Sequence, residues 1–466
     1  MNRINTLLRQ DKLFWPELLF KVVYLIHLLA CFNPYIDGTF PVKVTLLGTM
    51  ALGGLLLLCR LLDIKVYFRT PGLPLLLAFL VSFAVPSFLL YRYALVDSLK
   101  TFIWMTFQFA ILFAFSTRRP AARAKQELAV VGTAIGAFIT VENLISILMA
   151  FDGYFKVYEK PDGTSAVTGL AWWGRLYGVH GDPNYACVYT IATVLLCAYL
   201  FIKYPRLWVR IVTGVAALIN LLFIAFTASR TGLICLTLGV AVFAFSWCMG
   251  QFAVRRVLKA LAVTAVLCLA VVGFSEVAVS GFNAYHSHRQ EMSQPGTQPP
   301  DEPEDPGATI GRTEEELQGD PTNRRLDIWG SGLEIVRDNP VLGIGFENVL
   351  GYADDRLPDT YIVNNDLTRF DAFHNTVVDV LVSQGAVGVL LAGAFAVWFV
   401  IHCAKRVGKQ YTRHRPELCL CLAVVASGLA STMFLSHVFF VNIASTGVFW
   451  LFAGYLAYFT TVEEAE

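Results

Sequence analysis

Twelve apolar runs, each long enough to cross the roughly 30 Å hydrocarbon layer as a helix of about 20 residues, leave this chain little choice of environment. They lie near 18–33, 42–59, 72–90, 95–115, 128–150, 184–202, 208–227, 231–249, 257–279, 376–401, 418–435 and 438–459. With 56% hydrophobic and only 15% charged residues over 466 positions, the chain is too apolar for a water-soluble domain of its size. The expectation is an all-α polytopic membrane protein with about 12 transmembrane helices. The connections at 227–231 and 435–438 are so short that re-entrant hairpins there stay open.

Orientation follows from where Lys and Arg fall. The segments 1–17, 60–70, 116–127, 203–210, 250–259 and 402–417 together hold 21, against 6 in the short loops between them. Both termini are therefore expected on the cytoplasmic side. The N-terminal stretch is basic and then apolar without a small-residue cleavage site, which reads as an uncleaved first span. A net charge of +1 gives no general attraction to nucleic acid. The ten cysteines sit in or beside apolar runs and form no CxxC, so they read as small buried hydrophobes rather than disulfides or a metal site.

The pattern divides the chain into a membrane domain at 1–279 with nine spans, a large external loop at 280–372, and a second membrane portion at 373–466 with three. Within the loop, 286–319 is rich in Pro and acidic residues (QPGTQPPDEPEDPG). Such a sequence cannot bury enough apolar surface to offset its ordering entropy, so it is expected to be disordered. From 320 to 339 the spacing predicts a short amphipathic helix. Asp320 would cap it, Pro321 would open it, Leu326, Trp329, Leu333 and Val336 would form its apolar face, and Asn339-Pro340 would stop it.

Several polar groups stand at span edges on the outward side. Arg175 lies in WWGRLYGVHGDPNYA. The two tryptophans suit an interfacial belt, and Asp182-Pro183-Asn184 suits a helix cap. Arg230, in FTASRTGL, runs against the positive-inside bias. An arginine at membrane depth needs an anionic partner, unless it snorkels to headgroups. Arg325, next to Arg324, stands at a helix start, where backbone N–H groups and a guanidinium fork can hold one anion. The plainer alternative is that both arginines neutralise the acidic stretch upstream.

His374 lies in RFDAFHNTVVDV. If Asp371 caps the tenth span, His374 sits in its first turn, where the positive helix end keeps the imidazole neutral. Alone it would read as a polar residue packed on Phe370 or Phe373. Asn184, Asn375, Asp379 and Glu142 are supporting candidates. Asp379 is a candidate to orient the imidazole, and Glu142, inside the fifth span, reads as the partner of an arginine rather than as a proton-relay group. His437 lies in the turn before the last span. Arginines and a neutral base at one membrane face suit a lipid diphosphate: the forks hold the leaving group as charge develops, and the base takes a proton from an attacking hydroxyl.

The residues also resemble a family. G-R-L-x-G with D-P-N-Y-A, then S-R-T-G, R-L-D-I-W, N-P-V-L-G-I-G-F, F-H-N-T and S-Q-G-A-V-G occur in an order similar to that of the O-antigen ligase and polymerase superfamily of bacterial membrane glycosyltransferases. The resemblance spans about residues 170–395. It implies metal-independent, cofactor-free transfer of a glycan from undecaprenyl diphosphate to an acceptor hydroxyl, in the bacterial cytoplasmic membrane and on its outer face. His374 would activate the acceptor, and Arg175, Arg230 and Arg325 would bind the diphosphate. The acceptor would be lipid A core or another glycan, so the expected type is a ligase, with repeat-unit polymerase and protein O-oligosaccharyltransferase as alternatives. The acidic insertion departs from the family pattern. A transporter of lipid-linked sugars would also suit twelve spans, but the sequence shows neither inverted repeats nor paired broken helices.

Overall fold

The computed structural model describes residues 11–159, 165–249, 254–293, 309–311, 324–365 and 369–462. The chain enters through α1 (Phe14–Cys31) and α2 (Phe40–Leu62), then a single turn α3 (Ile64–Tyr67), α4 (Leu73–Leu89), α5 (Tyr91–Phe107) and α6 (Ala121–Asp152). Three strands follow: β1 (Phe155–Glu159), β2 (Ser165–Ala171) and β3 (Arg175–Gly178). Next come α7 (Pro183–Lys203), α8 (Leu207–Phe226), α9 (Arg230–Cys248) and α10 (Val254–Ser293). The large loop contributes α11 (Arg325–Asp338) and α12 (Val349–Arg356), and α13 (Thr376–Ser431) and α14 (Ala444–Thr461) complete the bundle.

Among the described residues, nine helices are long and apolar enough to cross a membrane. Each of the twelve apolar runs lies largely in a helix, but they do not make twelve such spans. Leu73–Leu89 is apolar and shorter, the last helix, Ala444–Thr461, is not among the nine, and α13 carries two of the runs in one segment broken at Gly385 and His414. Pro416 accounts for the second break, since it has no N–H to donate to the Thr412 carbonyl and its ring crowds that turn. The axis of the bundle is α14, where every residue from Ala444 to Thr460 is buried. A helix apolar on all sides belongs in the core, and Trp450 packs there against Phe109, Phe113 and Phe439.

The all-helical expectation misses the small antiparallel sheet, in the order β1-β2-β3. Its register pairs Val157 with Val167 and Leu170 with Leu176. Val, Phe, Tyr and Thr alternate across FKVYE and SAVTGLA, which suits a pleated, half-buried surface. The disorder expected for 286–319 also fails in part. His286 to Ser293 continue α10 as helix, and at Thr309–Gly311 the chain is anchored. Ile310 is buried, its N–H donates to Asn283 Oδ1 at 2.7 Å, and Gly311 donates to the carbonyl of Gly174 at 3.1 Å. The rest of that stretch, 294–308 and 312–319, lies outside the described residues, as does the expected cap at Asp320. The amphipathic helix is present but turned: Ile328, Ser331, Gly332 and Ile335 are buried, whereas Leu326 and Leu333 are exposed. Trp329 and Val336, from the expected face, are half-buried and pack against the cluster that holds Ile328 and Ile335, so the buried side is the expected face rotated toward those isoleucines.

The break at Gly385 is a feature that sequence reasoning did not foresee. Gly385 holds φ +57° and ψ −152°, a combination that is essentially glycine's own. The interruption frees helix carbonyls and N–H groups, and the 340–345 loop takes them up. Ile344 and Gly345 donate to the carbonyls of Val382 and Ser383 at 3.0 and 2.8 Å, and Ala386 donates to Pro340 at 2.9 Å. Broken backbone at membrane depth is tolerable only when satisfied in this way. The loop that carries the N-P-V-L-G-I-G-F motif is thus hydrogen-bonded into the helix that follows His374.

At the bundle end opposite the sheet, an ionic cluster ties the first helices to the last. Arg119 reaches Asp11 at 2.9 Å and also Glu17 and Glu127. Lys21 pairs with Glu127, and Arg60 Nε donates to Glu17 Oε1 at 3.0 Å. All six side chains are buried, so three acids face three bases with no net charge left in the interior. Removing one partner strands the others: Arg119→Ala should cost about 3–5 kcal/mol, seen as a lower unfolding temperature of detergent-purified protein. By contrast Arg118→Ala, which breaks the half-exposed pair with Asp63, should cost less than about 1 kcal/mol.

Candidate functional site

Asp182 opens α7. Its Oδ1 accepts the N–H groups of Asn184 and Tyr185 at 2.7 and 3.2 Å, with Pro183 at the first helical position, which is the arrangement Asp-Pro-Asn predicts. The cap fixes Asn184, whose Oδ1 accepts from Arg175 Nη2 and from Ser229 Oγ, both at 2.8 Å. Arg175 Nε donates to the carbonyl of Thr227 at 3.0 Å. The arginine at the start of β3 is therefore held by α7 and by the turn between α8 and α9. Ser229 caps α9 by accepting from Gly232 at 3.0 Å, and the next residue, Arg230, is exposed and has no ion pair among the described residues.

Arg325, the first residue of α11, faces the same space. Its guanidinium lies 5.8 Å from the centre of the Phe434 ring. Burial lowers its pKa, Tyr185 and Asp182 act against that, and Arg175 acts with it. These four side chains, from β3, from α7 with its cap, and from α11, thus share one electrostatic environment. Arg175 and Arg325 repel each other across it.

His374 completes the group. It is not in the first turn of α13: Asn375 is the cap, its Oδ1 accepting from Val377 and Val378 at 2.9 and 3.4 Å. Asp371 is exposed and caps nothing in α13. His374 stands just outside the helix at φ +50°, a left-handed conformation that costs a residue with a side chain about 1–3 kcal/mol. Its neighbours hold it there. Phe373 N–H donates to Asp379 Oδ1 at 3.0 Å, and Phe373 C=O accepts from Trp329 Nε1 at 2.9 Å. Thr376 N–H donates to Thr432 O at 2.9 Å. Asp379 therefore does not touch the imidazole; it fixes the backbone one residue before it.

The ring itself meets Phe370 edge-on at 6.3 Å, and neither nitrogen has a hydrogen-bond partner among the described residues. Two other histidines at this end differ. His180 is bonded at both nitrogens, to Asn143 Oδ1 at 2.9 Å and Tyr189 OH at 2.8 Å, and burial pushes its pKa down to about 3. His437 Nε2 is tied to Ser431 Oγ and to the Gly428 carbonyl. His437 Nδ1 is buried without a partner, so among these three only His374 has both nitrogens without a hydrogen-bond partner among the described residues.

Glu142 does not fit the arginine pairing expected of it. Its Oε1 accepts from Asn33 Nδ2 at 2.8 Å, because it faces the α1–α2 connection and not the arginines. Sequence reasoning missed Trp329 and Gly332 as well. A Cβ on Gly332 would lie 3.0 Å from the Phe373 ring and 2.9 Å from Val378 Cγ1, so only glycine lets α11 approach the His374 loop this closely. The hint in the sequence was Trp329 one helical turn beyond Arg325.

The family model described as O-antigen ligase matches residues 215–393. These residues are similar to the O-antigen ligase family. That stretch runs from α8 past the Gly385 break and includes Arg230, Arg325, His374, Asn375 and Asp379, while Arg175, Asn184 and Glu142 lie before it. The match covers less than half of the chain and makes this part of it similar to membrane glycosyltransferases of the O-antigen ligase and polymerase type. A search of curated proteins finds no match to the chain.

Burial lowers the pKa of His374 and Arg325 lowers it further, while Asp182 and Asp371 raise it; the net shift is downward. A base that works when neutral therefore stays active at neutral pH and loses activity only as pH falls below the ordinary histidine range. In a pH–rate profile, Arg325→Gln should move this acid limb up in pH. Gly332→Val should lower kcat about tenfold or more through a displaced loop while the protein stays folded.

Proposed function

We propose that the chain transfers a glycan from undecaprenyl diphosphate to an acceptor hydroxyl on the outer face of the bacterial cytoplasmic membrane, as an O-antigen ligase. The observation that carries this reading is the convergence of Arg175, Arg325 and the unpartnered His374 ring on one space at the bundle end that bears the sheet and the large loop. The excess of Lys and Arg in the loops at the other end supports an outward orientation for this end, with both termini inside.

In this reaction the acceptor oxygen attacks the anomeric carbon. The bond from that carbon to the phosphate oxygen breaks, and its electron pair leaves with undecaprenyl diphosphate. Direct displacement inverts the anomeric configuration. Arg175 and Arg325 offer planar forks to the diphosphate, and their mutual repulsion when the site is empty strengthens the pull on an anion. Exposed Arg230 meets the lipid headgroup first as it arrives from the bilayer. His374 takes the acceptor proton as the bond forms. Its neutral state and its fixed backbone mean that little reorganisation is needed at that moment. The transfer calls on neither a metal nor a cofactor.

A glycan gel of cells lacking the gene, complemented with wild type or His374→Ala, tests this. The expected result is long glycan on lipid A core with wild type, and full-length chains left on the lipid carrier with the variant, while membrane insertion and donor binding are retained. Accumulation of single repeat units would mean a polymerase. Intermediates trapped on the cytoplasmic side would overturn the enzyme reading in favour of transport, and near-normal transfer by His374→Ala would remove the general base.

A further inference from the structure

Beside the arginine and histidine centre lies a second feature that the transfer chemistry above does not use. A cavity of about 170 Å³ is lined by Cys31, Phe32, Pro34, Gly181, Asp182 and Tyr185. It sits between the end of α1 and the start of α7, and Gly181 N–H donates to the Phe32 carbonyl at 2.9 Å across its rim. We propose that this cavity is the acceptor subsite, holding the hydroxyl-bearing sugar ring of the acceptor, with the Asp182 carboxylate accepting a hydrogen bond from it. The inference rests on the glycosyl-transfer reading.

Charge separates the two halves of the site. A diphosphate belongs with Arg175 and Arg325, and a carboxylate repels it. A neutral polyol is the ligand that a lone carboxylate binds well, because each hydroxyl can donate to it in a charge-assisted bond. Asp182 has that capacity to spare: Oδ1 is occupied by the two N–H groups of the α7 cap, and Oδ2 has no partner among the described residues.

The walls fit the same ligand. Phe32 and Tyr185 stand edge to face, with ring centres 6.3 Å apart, and Pro34 adds an apolar edge. Sugar rings present C–H faces to such surfaces and hydroxyls to polar groups. The Tyr185 hydroxyl donates to the Ser436 carbonyl at 3.3 Å, which anchors that wall to the turn following α13. Position supplies the remaining argument. Asp182 acts on both His374 and Arg325, so a sugar bound at its free oxygen lies beside the base and the donor site together. Asp182 is then a positioning residue for the acceptor, which the sequence showed only as a helix cap.

The test compares wild type, Asp182→Asn and Gly181→Leu as detergent-purified full chains, with an undecaprenyl-diphosphate-linked glycan as donor and lipid A core from cells lacking the gene as acceptor. Asparagine keeps an oxygen for the α7 cap and removes the charge. Leucine extends toward Phe32, since a Cβ at Gly181 meets its carbonyl at an ordinary 3.4 Å, and so fills the cavity. Both variants should raise the acceptor KM about tenfold or more while leaving the donor KM within about twofold, and Asp182→Asn should keep the wild-type unfolding temperature. The acid limb of the Asp182→Asn pH profile should also move down, since the carboxylate supports protonation of His374 against Arg325, with Asp371 still in place. Unchanged acceptor KM in both variants, or a rise in donor KM instead, overturns the subsite alone. Absence of any transfer by wild type to this acceptor overturns the ligase reading and the subsite with it.

Discussion

The buried carboxylate of Asp379, accepting the N–H of Phe373, is the contact on which the functional end of the molecule depends. It acts with Trp329, which holds the carbonyl of the same residue, so that the peptide before His374 is gripped from both sides. Asn375 and Thr376 secure the residues that follow. The left-handed backbone of His374 costs about 1–3 kcal/mol, and each of these bonds returns about 0.5–1.5 kcal/mol, so the strain is covered without using the imidazole. A ring with no hydrogen-bond partner among the described residues, on a backbone held from both sides, is what the proposed general base requires.

The rest of the fold follows from delivering that loop to the arginines. α11 brings both Arg325 and Trp329, so one helix supplies the proposed anion-binding arginine and a clamp, and Gly332 sets how closely it approaches. The break at Gly385 serves the same end, because the 340–345 loop completes the backbone of α13 while binding the large loop to it. On the other side, Asn184 joins β3, α7 and the α8–α9 turn through two hydrogen bonds to one oxygen. At the opposite end of the bundle the Arg119 cluster holds α1, α2 and α6 together, and Tyr455 of α14 donates to Glu127 there. Rigidity at one end and a polar opening at the other divide the labour.

Much of this was legible in the sequence because its physics is local. Apolar runs must become helices in a bilayer, and Asp182-Pro183 caps a helix wherever it falls. Arg175, Arg325 and His374 were singled out by being polar at span edges, and they do come together. What escaped the sequence is tertiary. Asp379 and Glu142 were assigned partners by charge, but burial gave them an N–H and an amide instead. The face of α11 turned because Ile328 and Ile335 compete with Leu326 and Leu333 at the same period. Ile310 is one apolar residue in an acidic stretch, and only its site between Asn283 and Gly174 shows why it is held. The small sheet was lost among spans because its strands are short and half exposed.

The central claim is that one centre at this face breaks the bond between sugar and diphosphate. The most direct measurement is a single-turnover reaction of the purified chain in liposomes, with radiolabelled lipid-linked glycan and acceptor on the same side, following undecaprenyl diphosphate and transferred glycan together. The account predicts that they appear at the same rate and in equal amounts, with the anomeric configuration inverted. Movement of intact lipid-linked glycan across the bilayer with no diphosphate released would contradict it.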